Sequence, residues 1–269
     1  MTEYAGRGDP RRSMTLLWGT GDAPGRGPKP GLTVEGIAAA AIEVADAEGL
    51  GALSMRRVAD QLGKSPMALY TYVPGKAELL DLMLDRALAE LPKEYSAEEG
   101  WRAAVEQAAR TSWDFYQRHP WVLQVSGARA GLGPHELDFY ESHARLFDEV
   151  GLPALDQTRA ANVLVSFVRG SAKAVSDARA AEQATGISDD EWWSARAPFL
   201  EELGPVWAER FPVLTRLQAE HAFDQVDRPD ETTPYTVQEA LDTFEFGLQR
   251  LLDGFDVLIS ARPKRSRRT

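Results

Sequence analysis

Four histidines, His119, His135, His143 and His221, are the first residues to test for chemistry, because imidazole serves both as metal ligand and as general base. Their spacing matches neither HExxH nor any comparable metal-binding pattern. The chain contains no cysteine, which excludes disulfides, thiolate metal sites and cysteine nucleophiles. No G-x-S-x-G elbow, phosphate-cradling glycine loop or dinucleotide fingerprint occurs. The sequence therefore predicts no catalytic residue, no metal site and no cofactor. An all-helical enzyme built around an aromatic cavity is the weakest reading, since no paired acid and base is in evidence.

Chemistry of another kind gathers between Gly51 and Lys76. Arg56, Arg57, Lys64 and Lys76 face one acid there, Asp60, although the 269-residue chain carries a net charge of −11. Residues 1–77 hold nine Lys/Arg against eight Asp/Glu, leaving 21 against 33 for the rest. A weakly basic head on an acidic body suits contact with a polyanion through the head alone. In the same stretch Pro66, Met67, Ala68, Thr71 and Tyr72 form an uncharged face of small to medium size. Such a face can approach base edges and thymine methyls in a major groove.

Those residues need short helices to present them. A first helix starts at the N-cap Thr33, buries Ile37, Ala41, Val44 and Ala45 at helical spacing, and stops at Gly49 and Gly51. A second, about two turns long, is capped by Ser54, turns Met55, Val58, Ala59 and Leu62 inward and ends at Gly63. A third is capped by Ser65, with Pro66 at the first helical position, and is held by Leu69 and Val73. A fourth runs from about Lys76 to Leu91. Two very short helices joined through a glycine turn between longer ones make a helix-turn-helix. The plainer reading of the same spacing is a helical cap on a bundle.

The body continues with helical segments near 101–118, 135–150, 154–184, 189–203, 205–225 and 236–260, and no alternating strand is expected. In the last segment Leu241, Phe244, Leu248, Leu251, Phe255 and Leu258 form a 3-4 seam suited to helix-on-helix packing, expected to bury Leu248 and Phe255 against a partner in a homodimer, with packing inside one subunit as the alternative. Trp113, Tyr116, Trp121, Gln124, Phe139, His143 and Phe167 are the candidates to line an apolar ligand pocket; plain core packing is the alternative for most of them. The Gly-, Pro- and Arg-rich residues 1–31 read as a flexible basic arm, in which Arg7, Arg11, Arg12, Arg26 and Lys29 could reach a minor groove and only Leu16, Leu17 and Trp18 could dock. Residues 262–269 read as a basic tail. With no run of 18 apolar residues and no apolar leader, a cytoplasmic protein without a membrane partner is expected.

The stretch LTVEGIAAAAIEVADAEGLGALSMRRVADQLGKSPMALYTYVPGKAELLDLM resembles the DNA-binding head of the TetR family of bacterial regulators, most specifically at Ala45, Gly49, Leu53, Ser54, Arg56, Leu62, Gly63, Leu69, Tyr70, Val73 and Lys76. The residues around Arg118, His119 and Pro120, and the final helical segment, are similar to the tetracycline-repressor type of C-terminal domain. The resemblance implies an all-α chain: an arm over 1–31, a helix-turn-helix DNA-binding domain over 32–91, a helical ligand-binding and dimerisation domain over 95–261, and a tail. It implies phosphate contacts by Ser54, Tyr70, Tyr72 and Lys76, and base reading by Arg56, Pro66, Met67, Ala68 and Thr71 beside the cap Ser65. Core packing for Tyr70 and plain solvation for Arg56 and Lys76 are the alternatives. Where tetracycline repressors carry the histidine and glutamate that hold magnesium-chelated drug, this chain places Arg129 and Ala174, so a more apolar effector without Mg²⁺ is expected. The function expected is a homodimeric repressor that binds an inverted-repeat operator in double-stranded DNA and is released by a small apolar effector. The alternative is a helical small-molecule sensor that does not read DNA.

Overall fold

The computed structural model of the chain describes residues 3–20, 31–148, 150–223 and 232–261. Apart from one two-residue strand pair, these residues form helices and the turns between them. The fold divides into two compact units, Met1–Arg169 with Leu251–Thr269, and Gly170–Arg250.

The first unit opens with β1 (Glu3–Tyr4) and α1 (Pro10–Leu17), followed by α2 (Val34–Glu48), α3 (Met55–Gln61), α4 (Pro66–Tyr70) and α5 (Lys76–Leu88). Then come α6 (Trp101–Arg118), a 3₁₀ turn over Pro120–Gln124, β2 (Val125–Ser126), α7 (Pro134–Arg145) and the first half of α8 (Ala154–Thr185). The second unit holds the rest of α8, α9 (Asp189–Ser194), α10 (Ala197–Glu202), α11 (Gly204–Arg210), α12 (Pro212–Ala219) and the start of α13 (Tyr235–Ser260), whose last turns belong to the first unit.

Three sequence expectations are corrected. The arm is not a structureless segment: Asp9 accepts from the Arg12 amide at 2.9 Å and caps α1, Pro10 takes the first helical position, and α1 packs on α5. Ala5, Ser13 and Leu17 are buried, and the Trp18 indole N–H donates to the Leu132 carbonyl. Arg26, Lys29 and the tail lie outside the described residues. The long helices expected over 189–203 and 205–225 are broken into four, because Pro198, Pro205 and Pro212 each lack the amide an uninterrupted helix needs and instead open a new one. Finally, Leu248 and Phe255 are buried within the single chain, together with Phe244 and Leu252. Phe244, Leu248 and Phe255 of the α13 seam are therefore protomer core, while its Leu241, Leu251 and Leu258 are half-buried.

In the second unit, Ser188 and Glu191 form a capping box that starts α9. The Asp189 carboxylate accepts from both the amide and the hydroxyl of Thr236 and so fixes the first turn of α13.

The core of the first unit is organised on α5, which packs against α1, α2 and α7. Asp85 reaches from α5 to the N-terminus of α7 and accepts from the His135 and Glu136 amides at 2.9 and 3.0 Å. The helix provides no side-chain cap of its own. Gly133 makes this approach possible, since a Cβ there would lie 2.1 Å from Oδ1 of Asp85. Burial pushes the Asp85 carboxyl above the ordinary range against the opposing pull of these amides. Asp85→Ala should thus cost about 1–3 kcal/mol by leaving two amides unpaired. Asp85→Asn keeps an acceptor and removes the charge. A carboxylate with a raised folded pKa loses stability as pH rises from its unfolded value through the folded one, so Asp85→Asn should gain on the wild type as pH rises above about 4. Unfolding midpoints of the three proteins across that range are the measurement; a pH-independent difference would contradict the assignment.

Candidate functional site

α3 and α4 are too short to stand alone and are held by core residues. Met55, Val58, Ala59, Leu69 and Val73 are buried, and Gly63 takes a φ of +62° in the turn between the two helices. The Ser54 hydroxyl accepts from the Arg57 amide at 3.1 Å and the Ser65 hydroxyl from the Ala68 amide at 3.4 Å, so both serines are helix caps. Opposite the buried side, Met67 is 73% exposed and Tyr70 44%, with Thr71 also exposed and Pro66, Ala68 and Tyr72 half-buried. Core packing is thereby excluded for Tyr70. The Thr71 hydroxyl donates to the Met67 carbonyl at 3.3 Å.

The basic residues of the head differ in their freedom. Arg57 is bound to Glu48 at 2.6 Å and also donates to Gln61. Arg56 and Lys64 are exposed and have no carboxylate partner among the described residues. Lys76, the first residue of α5, lies 3.6 Å from the Glu3 carboxylate.

A polar cluster around the buried side chains of His119 and Trp121 ties the head to the body. Asp46 on α2 accepts from the Trp121 indole at 2.8 Å and lies 2.8 Å from His119 Nδ1, while His119 Nε2 is 3.3 Å from Glu90. Glu90 also pairs with Arg118. Trp121 and His119 are therefore structural and do not line a pocket.

The candidate pocket is a cleft of about 530 Å³ between α5, α6, α7, α8 and β2, within the range usual for small-molecule sites. Of the aromatics expected there, Tyr116 and Phe139 line it. Trp113 and His143 are core residues, with His143 held between the Phe139 carbonyl and Ser112 and burial pushing its pKa down. Gln124 is exposed and Phe167 half-buried, and neither lines the cleft. The polar centre is Arg169, which donates to the Val122 carbonyl at 3.0 Å and to the Val125 carbonyl, and sits 5.8 Å above the Tyr116 ring. Glu136 and Tyr140 complete it, and burial raises the pKa of both groups. Glu136, Phe139 and Tyr140 stand at i, i+3 and i+4 on α7, a helical spacing that could have marked them together in the sequence. Leu84 and Leu88 contribute from α5. Arg129 is on the rim. A larger hollow of about 710 Å³ near Tyr95 and Trp101 is edged by the exposed ion pairs of Arg145 with Glu94 and Glu141. No helix among the described residues is long and apolar enough to cross a membrane, and no three of their His, Asp or Glu side chains are grouped to hold a metal ion.

Residues 37–83 match the family described as bacterial regulatory proteins, tetR family, and residues 92–259 match the tetracyclin repressor-like C-terminal domain. The chain is 44% identical over 264 residues to the HTH-type transcriptional repressor DrrR1 of Streptomyces coeruleorubidus, covering 97% of this chain and 91% of that one. Among solved structures it is similar to apo ActR from Streptomyces coelicolor, at 25% identity and a TM-score of 0.65, covering 87% of this chain and 99% of that one. ActR in complex with actinorhodin matches at 27% identity and a TM-score of 0.62, covering 86% and 97%.

The link through Asp46 is open to test. Asp46→Ala leaves the buried indole N–H and imidazole without their acceptor and should lower stability by about 1–3 kcal/mol. In a Trp121→Phe background, where the indole donor is absent, the same substitution should cost less. Equal costs in chemical denaturation of both backgrounds would show that the indole hydrogen bond contributes nothing.

Proposed function

The chain belongs to the tetR family of bacterial regulatory proteins and is a DNA-binding transcriptional regulator; from that premise we propose that it is a cytoplasmic, non-enzymatic homodimer that leaves its operator when a small, mainly apolar molecule fills the cleft beside Arg169. The observation that carries the DNA reading is the uncharged, outward side of α4, with Met67 and Thr71 exposed while Leu69 and Val73 anchor it from below. Thr71, Met67, Ala68, Pro66 and Arg56 read bases in this proposal. Tyr70, Tyr72, Ser54 and Lys76 take phosphates, with Ser65 fixing the start of α4. Exposed apolar residues on α8, Leu155 and Val163, support pairing with a second copy.

Two heads related by a two-fold axis bind an inverted repeat. Lys76→Ala should weaken binding to operator and random duplex alike and reduce the salt slope by about one per head. Met67 and Thr71 variants should change the preferred sequence, with a mismatch costing about 1–3 kcal/mol per base pair. Affinities measured across a salt series separate the two classes. Selection of no sequence from a random pool would leave only the sensor reading.

For the effector, ActR in complex with actinorhodin supplies the precedent of a bound ligand on a similar fold. The mixture of Tyr116, Phe139, Leu84 and Leu88 around one guanidinium suits an aromatic body bearing a hydrogen-bond acceptor. With actinorhodin as probe, binding followed by tryptophan fluorescence should weaken at least about tenfold in Arg169→Ala, the equivalent of about 1.4 kcal/mol. Undiminished binding by that variant would place the ligand elsewhere.

A further inference from the structure

Residues 3–17 connect two places that the function needs, the ligand cleft and the first residue of α5. β1 pairs in parallel with β2, Glu3 opposite Val125 and Tyr4 opposite Ser126. Val125 and Ser126 line the cleft, and the Val125 carbonyl is one of the two that Arg169 holds. Beyond β1 the chain is fixed to α5: the Gly6 amide donates to Asp81 Oδ1 at 2.7 Å and the Ser13 hydroxyl to Oδ2 at 3.1 Å. With Asp81 only 3% exposed, these two bonds anchor the segment firmly. Held from both sides, Glu3 comes to lie 3.6 Å from Lys76 Nζ.

We propose that Glu3 is an internal competitor for the DNA phosphate that Lys76 takes up, and that the pairing of β1 with the cleft strand β2 sets how fully the competitor is in place. The inference rests on the phosphate role of Lys76 proposed above. A carboxylate beside this ammonium neutralises it and repels an approaching phosphate. The Glu3–Lys76 pair is partly exposed, so its effect on DNA affinity is a modest one that salt screens. A ligand packed against Val125 and Ser126 stabilises β2, and with it β1. That raises the occupancy of Glu3 at Lys76 and lowers affinity for DNA, the sign a repressor released by its effector requires. By linkage, DNA bound at Lys76 disfavours the β1–β2 pairing to the same extent.

The test uses full-length protein, the duplex upstream of its own gene and a random-sequence duplex, each over a salt series. Glu3→Gln should bind both duplexes about two- to fivefold more tightly at low salt, with the advantage fading as salt rises. Tyr4→Pro, which impairs β1 pairing and leaves every charge in place, should give a gain of the same sign. The Glu3→Gln gain should vanish in a Lys76→Ala background. If Lys76→Ala weakens binding while Glu3→Gln binds as the wild type does, the competitor is refuted and the phosphate role of Lys76 survives. A gain that persists without Lys76 also overturns the competition. Unchanged DNA affinity in Lys76→Ala alone removes the phosphate role and this inference together.

Discussion

Asp81 and Asp85 sit about one turn apart on α5, both almost fully removed from water, and each holds a different part of the chain against that helix. A buried carboxylate without partners costs several kcal/mol, so this arrangement persists only while hydrogen-bond donors meet it. Gly6 and Ser13 supply them to Asp81, and the first amides of α7 supply them to Asp85. In both groups burial still outweighs the donors and leaves the pKa raised. The pairs are therefore position-setting contacts at some expense in stability. Neither α1 nor α7 can slide along α5 without uncovering a carboxylate or orphaning an amide.

That constraint gives α5 its place in the function. Its 13 residues span ~20 Å, with Lys76 at the start and Leu84 and Leu88, which line the cleft, in the last turns. The cleft wall on α7 is bonded to α5 through Asp85, and the N-terminal segment through Asp81. The Asp46 cluster adds a second connection, from the turn after α6 to the body of α2. The head is thus gripped on two helices, α2 and α5.

What was legible in the sequence is what local rules decide. The caps at Thr33, Ser54 and Ser65, the turn at Gly63 and the buried positions of the first helices follow from spacing within a few residues. The Asp9-Pro10 cap signal was equally local, but the Gly- and Arg-rich composition around it outweighed it. Nothing nearby announced the partner that makes the segment dock, because Asp81 lies 75 residues from Gly6 and 68 from Ser13. The α13 seam shows the same limit, since periodicity tells which residues turn inward and is silent on what they meet. Aromatic content likewise proposed a pocket without separating Tyr116, on the cleft, from Trp121, whose indole needs the remote acceptor Asp46. The prolines at 198, 205 and 212 were a readable signal that the apolar pattern concealed.

The distribution of charge in the head bears on how it recognises DNA. Of the four basic residues between Gly51 and Lys76, Arg57 is taken by Glu48 and Lys76 is neighboured by Glu3, which leaves Arg56 and Lys64 as exposed cations without a carboxylate among the described residues. Few free cations between Gly51 and Lys76 favour a shallow salt dependence for contacts made by that stretch alone. The acidic remainder of the chain, 33 Asp/Glu against 21 Lys/Arg after residue 77, deepens that effect by repelling DNA wherever it is not docked on the heads. The outward side of α4, where Met67 and Thr71 are exposed, offers shape and apolar contact in place of charge.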